Sequence, residues 1–308
     1  MRRSGIKLSV LLAVALWPLP AASQDGGWQG PIIDAHSQVD QHVDLDGVVP
    51  LLDRAGVARV ILSTRGRIRP HKVAALARSH PDRIIASVRT KGWAYYQNSP
   101  KYHRLLNVQL AMPEFRAMAE ILLWHGAKGD IAPELVVPAA APQVQVAVAA
   151  AYRRGWPVVL HYEFAAAASA APGLMTELEG VLRERPDHPF VLTHMGQLDV
   201  RETRRLIEAH GNIHFIPSWS NPVAHLASRQ PWVNLFDGRR LAPAWKALIL
   251  DHPDRLVLGF DNVFAEHWGG HYVAQARLWR EALAELPDDV AHAVAHGNAE
   301  RLWRLDPL

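Results

Sequence analysis

The sequence predicts an α/β fold, a single (β/α)8 TIM barrel, and three observations lead there. Short apolar runs alternate with amphipathic stretches along almost all of the 308 residues. One proline-led joint recurs between helix and strand. No glycine-rich dinucleotide fingerprint follows the first apolar run, where Asp34-Ala35-His36-Ser37-Gln38 stands instead, and an open doubly wound sheet thereby loses its main support.

The runs expected as strands are 31–36, 58–63, 83–89, 115–123, 156–162, 189–194, 212–217 and 255–261. They are rich in Val, Ile, Leu and Phe and carry few interior charges, as strands buried on both faces of a parallel sheet do. Between them, 48–55, 73–78, 144–153, 174–183, 201–209 and 244–250 place apolar residues three or four apart, the spacing of amphipathic helices. Gly56, Gly155 and Gly211 stand where several of these helices should stop. The recurring joint is His80-Pro81-Asp82-Arg83, then His252-Pro253-Asp254-Arg255, with a related Pro186-Asp187-His188-Pro189. Proline ends each helix and the chain turns into the next strand. The stretch 91–104, with Trp93, Tyr95, Tyr96 and Tyr102, reads as a long loop over one barrel mouth, and the tail 272–305 as helices that close the barrel. No linker divides the chain.

Residues 1–23 differ in character. Arg2, Arg3 and Lys7 precede an apolar run over 8–16, Pro18 and Pro20 follow, and Ala21, Ala22 and Ser23 offer a cleavage site. The apolar run is shorter than the roughly 20 residues that span a bilayer. The expectation is a cleaved secretory signal at 1–23, a barrel domain over 24–308, and a periplasmic or secreted protein with no membrane attachment. Those three cations are the whole surplus of 33 Lys+Arg over 30 Asp+Glu, so the remainder is formally neutral. Affinity for nucleic acid, which needs a basic face, is not expected. Cysteine is absent, excluding disulfides and thiolate ligands, whereas 17 His and 30 carboxylates remain as metal donors.

In such a barrel the carboxyl ends of all strands meet at one face. Strand one ends around His36 and Gln38, strand five at His161, strand six at His194 and strand eight at Asp261. A lone strand-end histidine is more often structural. Three imidazoles and a carboxylate on four strand ends are a much rarer coincidence, and they suit Zn2+ or a similar divalent ion.

The segments Ile32-Ile33-Asp34-Ala35-His36, Thr193-His194-Met195-Gly196, Gly259-Phe260-Asp261 and Gly297-Asn298-Ala299-Glu300-Arg301-Leu302 together resemble the amidohydrolase superfamily. The resemblance is closer to its branch containing aminocarboxymuconate-semialdehyde decarboxylase and related small-acid hydrolases, and it spans 32–305. It implies one divalent metal ion, Zn2+ by preference, with His36, His161 and Asp261 as ligands, Asp261 also as proton acceptor, and His194 as acid/base. Where the branch carries a second histidine on strand one, this chain has Gln38, a weaker ligand. A weaker site, a harder metal or metal-free catalysis are the three outcomes; Asp40 and His42 are candidates to replace the lost ligand. Strand four offers no lysine of the kind carbamylated in binuclear relatives. A homodimer follows from the resemblance alone.

The activity this implies is hydrolysis of a small carboxylic amide, ester or lactone by a metal-activated water. Asp261 takes the proton and His194 polarises the carbonyl or protonates the leaving group. A decarboxylase of a small unsaturated acid and a non-catalytic binding barrel are the alternatives. Arg65 and Lys91, after strands two and three, could meet a substrate carboxylate, although loop cations are as often simply solvated. Trp219, Asn221, His267 and Trp268 are candidate pocket walls. Glu120 interrupts strand four, either supporting a ligand or marking a misplaced boundary. His71, His210, His225, His292 and His296 read as structural.

Overall fold

Eight extended segments hydrogen-bond side by side until the last meets the first. The structure, a computed structural model, describes residues 26–129 and 132–308. The expected signal, 1–23, lies outside the described residues. Strands Ile33–Val39, Arg59–Thr64, Ile84–Val88 and Phe115–Met118 form one parallel sheet in that order. Ile121–Leu122, Val158–His161, Phe190–Leu192 and Ile213–Phe215 form a second. Segment 255–261 closes the ring. Phe215 N donates to Arg255 O and Val257 N to Phe215 O on one side, while Ala35 N donates to Leu258 O and Gln38 N to Asn262 O on the other. The single-domain (β/α)8 barrel is therefore present, with neighbouring strands parallel throughout.

Helices lie between the strands: Val48–Ala55, Pro70–Ser79, Pro100–Leu110, Pro142–Arg154, Ala171–Glu184, Val200–Ala209 and Pro243–Asp251. Proline begins several of them, where its fixed φ suits the first turn and its missing N–H costs nothing. Gly56 and Gly155 end two helices in the left-handed region, at φ 67° and 64°. The repeated joint has a repeated geometry: His80 sits at φ −136°, ψ 62° and His252 at φ −136°, ψ 61°. Like sequence has given like turn.

Three expectations need correction. The stretch 91–104 is not a loop: Trp93–Tyr96 and the first half of Pro100–Leu110 are helical, and buried Tyr95 and Tyr102 pack edge to face at 5.3 Å. Packing of these rings overrides the weak local periodicity. Strand four is not continuous over 115–123, because the chain leaves regular pairing at 119–120 and resumes at Ile121–Leu122. Strand one runs to Val39, past its expected end at His36, because Gln38 N pairs with Asn262 O and Val39 O accepts from Arg65 N.

Inside the barrel, Ile33, Ala35, Ile61, Ile85, Ala117, Val159, Val191 and Val257 form one buried cluster. Leu302, Trp303 and Leu305 of the tail join it. The tail thus plugs the amino-terminal end, and each such aliphatic side chain contributes roughly 1.5–3 kcal/mol by leaving water. The opposite end is left to polar residues. Among the described residues no helix is long and apolar enough to cross a membrane.

Candidate active site

Where strands six, seven and eight run out, the backbone turns left-handed at a residue other than glycine: His194 at φ 56°, Trp219 at φ 59° and Asp261 at φ 48°. Such conformations cost roughly 1–3 kcal/mol each and persist where surrounding structure enforces them, most often at functional sites. Gly259 permits the last of these turns. A Cβ there would stand 2.9 Å from Ile216 Cγ2 and 3.2 Å from His36 N, so strand eight can approach strand one only through glycine.

These turns, with the ends of strands one, four and five, bring one polar cluster together. His36 Nε2 lies 3.3 Å from Asp261 Oδ1 and 3.6 Å from Glu120 Oε2, yet it has no hydrogen-bond partner. Gln38 Nε2 donates to Asp261 Oδ1 at 2.8 Å and to Glu120 Oε1 at 3.0 Å. His161 Nδ1 donates to Glu120 Oε2 at 2.7 Å and its Nε2 to Glu163 Oε1 at 3.1 Å. His194 Nε2 is 3.6 Å from Asp261 Oδ2, which also accepts from Trp219 Nε1 at 3.2 Å. Lys91 Nζ donates to Glu120 Oε1. Asp34, fully buried, ties the frame by accepting from Ser37 Oγ, Phe260 N and Tyr272 Oη.

Burial and neighbouring charge sort the protonation states. Burial alone would raise Glu120 and Asp261. For Glu120, Lys91 and His161 outweigh it; for Asp261, the facing His36 leads the groups that outweigh both burial and Glu120. Both carboxyls are held below their ordinary values, as anions. Burial opposes the charge on His161, but Glu120 and Glu163 on either side hold it at about 8. Burial and the adjacent His161 push His194 down to about 3, so its ring is neutral. Ser218 Oγ accepts the backbone N–H of His194 at 3.3 Å and lies 3.0 Å from Nδ1. When Ser218 Oγ–H donates to Nδ1, the ring proton of neutral His194 is on Nε2, facing Asp261.

The donor set fits a divalent cation. His36, Glu120 and Asp261 each offer a ligand atom within 4.8 Å of the others, and Glu120, His161 and His194 form a second such group. In the first group His36 Nε2 makes no hydrogen bond although it faces both carboxylates, Asp261 Oδ1 at 3.3 Å and Glu120 Oε2 at 3.6 Å, so its donor atom is aimed at the same space as theirs. In the second group both His161 nitrogens are already engaged. A third group, His125, His161 and Glu163, already holds the Lys128 ammonium, 2.7 Å from His125 Nε2 and from Glu163 Oε1.

Above the cluster opens a cavity of about 640 Å³ lined by Arg65, Arg89, Lys91, Lys128, Trp219 and Trp232, among others. The structure brings His36, Gln38, His161, His194 and Asp261 together, and it places Arg65, Lys91 and Trp219 on the cavity wall. Asp40 stands 4.0 Å from Arg65, and His42 is exposed; neither joins the cluster. Trp268 bonds the backbone of Gln38, Asn221 caps a short helix, and His267 Nδ1 accepts from Val263 N. His225 also lines the cavity. Glu163, Ser218, His125, Lys128 and Trp232 were not foreseen. Glu163 and Ser218 each lie two positions beyond an expected strand residue, and that spacing was an available signal.

No curated protein matches the sequence. Among solved structures, an uncharacterised TIM-barrel protein from Bordetella bronchiseptica superposes with a TM-score of 0.58 at 17% identity, covering 89% of this chain and 99% of that one. The 5-carboxyvanillate decarboxylase of Sphingomonas paucimobilis gives a TM-score of 0.54 at 13% identity over 90% and 99% of the two chains. An amidohydrolase from Burkholderia multivorans with bound zinc gives 0.53 at 16% identity over 90% and 100%. At these identities the likeness concerns the fold. The sequence profile of the amidohydrolase family matches residues 16–305, nearly the whole chain, and the protein belongs to that family.

Proposed function

We propose that the protein is an exported, metal-dependent hydrolase of a small anionic amide, ester or lactone. The observation that carries this reading is geometric: His194 Nε2 stands 3.6 Å from Asp261 Oδ2, and both residues line one cavity. A base and a hydrogen-bond donor at the edge of one cavity are what water attack on a carbonyl requires.

Asp261 Oδ2 accepts the proton of the attacking water. His194 Nε2–H polarises the carbonyl oxygen by hydrogen bonding while Ser218 holds the tautomer, and the proton that Asp261 took from water passes to the leaving group. Trp219 Nε1 fixes Asp261 in place. Arg65 and Arg89 give the cavity a basic wall that suits a substrate carboxylate, while Lys91 is paired with Glu120. His36, Glu120 and Asp261 would hold the cation. A divalent ion there supplies Lewis acidity and lowers the pKa of water.

Export rests on the composition of residues 1–23, and a periplasmic or secreted site follows from it. The test is a panel of small carboxylated esters, lactones and amides, with unsaturated acids assayed for CO2 release. Hydrolysis that disappears in Asp261→Asn, with the fold intact by circular dichroism, is the expected outcome. CO2 release without hydrolysis, or undiminished hydrolysis by the variant, rejects the reading.

A further inference from the structure

The side chain of Gln38 is satisfied at one end only. Nε2 makes two short bonds, to Asp261 Oδ1 at 2.8 Å and Glu120 Oε1 at 3.0 Å, whereas Oε1 is buried with no partner. The residue is 0% exposed, so solvent does not compensate the oxygen. Its backbone is held on both sides, with N donating to Asn262 O at 2.8 Å and O accepting from Trp268 Nε1 at 2.9 Å. The side-chain amide is the part left to turn.

The amide's direction has an electrostatic reason. Oε1 turned inward would face two carboxylates, and Nε2 turned inward would face any cation held between them. Reversal of a primary amide exchanges oxygen and nitrogen at nearly the same positions. His36 Nε2, which also makes no hydrogen bond, faces the same two carboxylates, 3.3 Å from Asp261 Oδ1 and 3.6 Å from Glu120 Oε2.

We propose that Gln38 is a reversible amide: Nε2 clamps Glu120 and Asp261 together when the site holds no cation, and Oε1 turns inward as an oxygen ligand when a divalent cation binds, tuning the site toward hard cations such as Mn2+ at the expense of Zn2+. The cation site then has one imidazole nitrogen, from His36, against oxygens from Gln38, Glu120 and Asp261. Oxygen-rich sets suit hard ions, and imidazole suits zinc. His161 stays outside, held between Glu120 and Glu163. This inference rests on the cation site invoked for the hydrolase, and its test uses no substrate.

Metal-stripped protein is titrated with Mn2+ and with Zn2+ by calorimetry, and melting temperatures are recorded with and without each ion. Gln38→Leu, which removes both donor and acceptor, should weaken Mn2+ binding by at least about tenfold, the scale on which loss of support at a metal site is felt. Gln38→His should raise the ratio of Zn2+ to Mn2+ affinity by a similar factor. Gln38→Glu should lower the melting temperature of the metal-free protein, because a third carboxylate replaces the clamp, and bind Mn2+ more tightly than wild type. His161→Asn should leave Mn2+ affinity within about threefold, less than half a log unit and well under the support scale.

Mn2+ binding by Gln38→Leu equal to wild type, an unchanged affinity ratio in Gln38→His, or no binding of either ion by wild type overturns the proposal. A protein that behaves as expected here yet hydrolyses nothing refutes the hydrolase reading alone.

Discussion

Glu163→Gln exposes how the carboxylates hold the cluster. Glu163 is fully buried and accepts from His161 Nε2 at 3.1 Å, Lys128 Nζ at 2.7 Å and Gly126 N at 2.7 Å. Glutamine keeps the shape and one oxygen, which Gly126 can still use, but turns an NH2 toward two donors. Breaking a buried ion pair by removing one partner costs about 3–5 kcal/mol. Lys128 is 21% exposed and can recruit water, which puts the cost near the lower limit, about 3 kcal/mol. At about 2–4 °C per kcal/mol for a domain of this size, the melting temperature falls by about 6–12 °C.

The cost must also depend on pH, with a definite sign. His161 is held at about 8, above its ordinary 6.5. A raised pKa stabilises fully below pH 6.5, and the contribution is lost as pH rises through about 8. The shift corresponds to about 2 kcal/mol at 1.36 kcal/mol per unit, shared between Glu120 and Glu163. Urea unfolding should therefore find Glu163→Gln about 1 kcal/mol more destabilising at pH 6 than at pH 9. A cost well under 1 kcal/mol, or one that is equal at both values, refutes the role given to this carboxylate.

Other changes isolate other parts of the site. Ser218→Ala frees the His194 tautomer, and kcat should fall roughly tenfold with KM little changed; an unaltered kcat removes Ser218 from the account. Gly259→Ala pushes a methyl toward Ile216 and His36, costing about 1–3 kcal/mol, which thermal unfolding would register. Arg65→Ala should raise KM for a carboxylated substrate about tenfold and leave a neutral ester of the same size unaffected, which steady-state kinetics on the two substrates checks.

Barrel periodicity is legible in this chain because strands buried on both faces cannot hide among polar residues, and because helices stop at Pro and Gly. The strand-end set His36, His161, His194 and Asp261 is legible for the same reason, since polar residues at the end of an apolar run stand out. Segment 91–104 misleads because its helices are short and are fixed by Tyr95 and Tyr102 packing, a tertiary effect. Glu163 and Ser218 were within reach, because alternate residues at an extended strand end point the same way. His125 and Lys128 were not, since a hairpin beyond strand four, Trp124–His125 with Leu135–Val136, sets where they fall. The direction of the Gln38 amide follows from charges on strands four and eight, far away in sequence.

The most direct test of the central claim is the hydrolysis rate of wild type and Asp261→Asn on the same carboxylated ester or lactone, with metal content and fold verified for both. Loss of the proton acceptor should reduce kcat by at least about 10²–10⁴-fold while the unfolding midpoint stays close to wild type. Comparable turnover by the two proteins would mean that the cluster at the barrel mouth is not where the reaction happens.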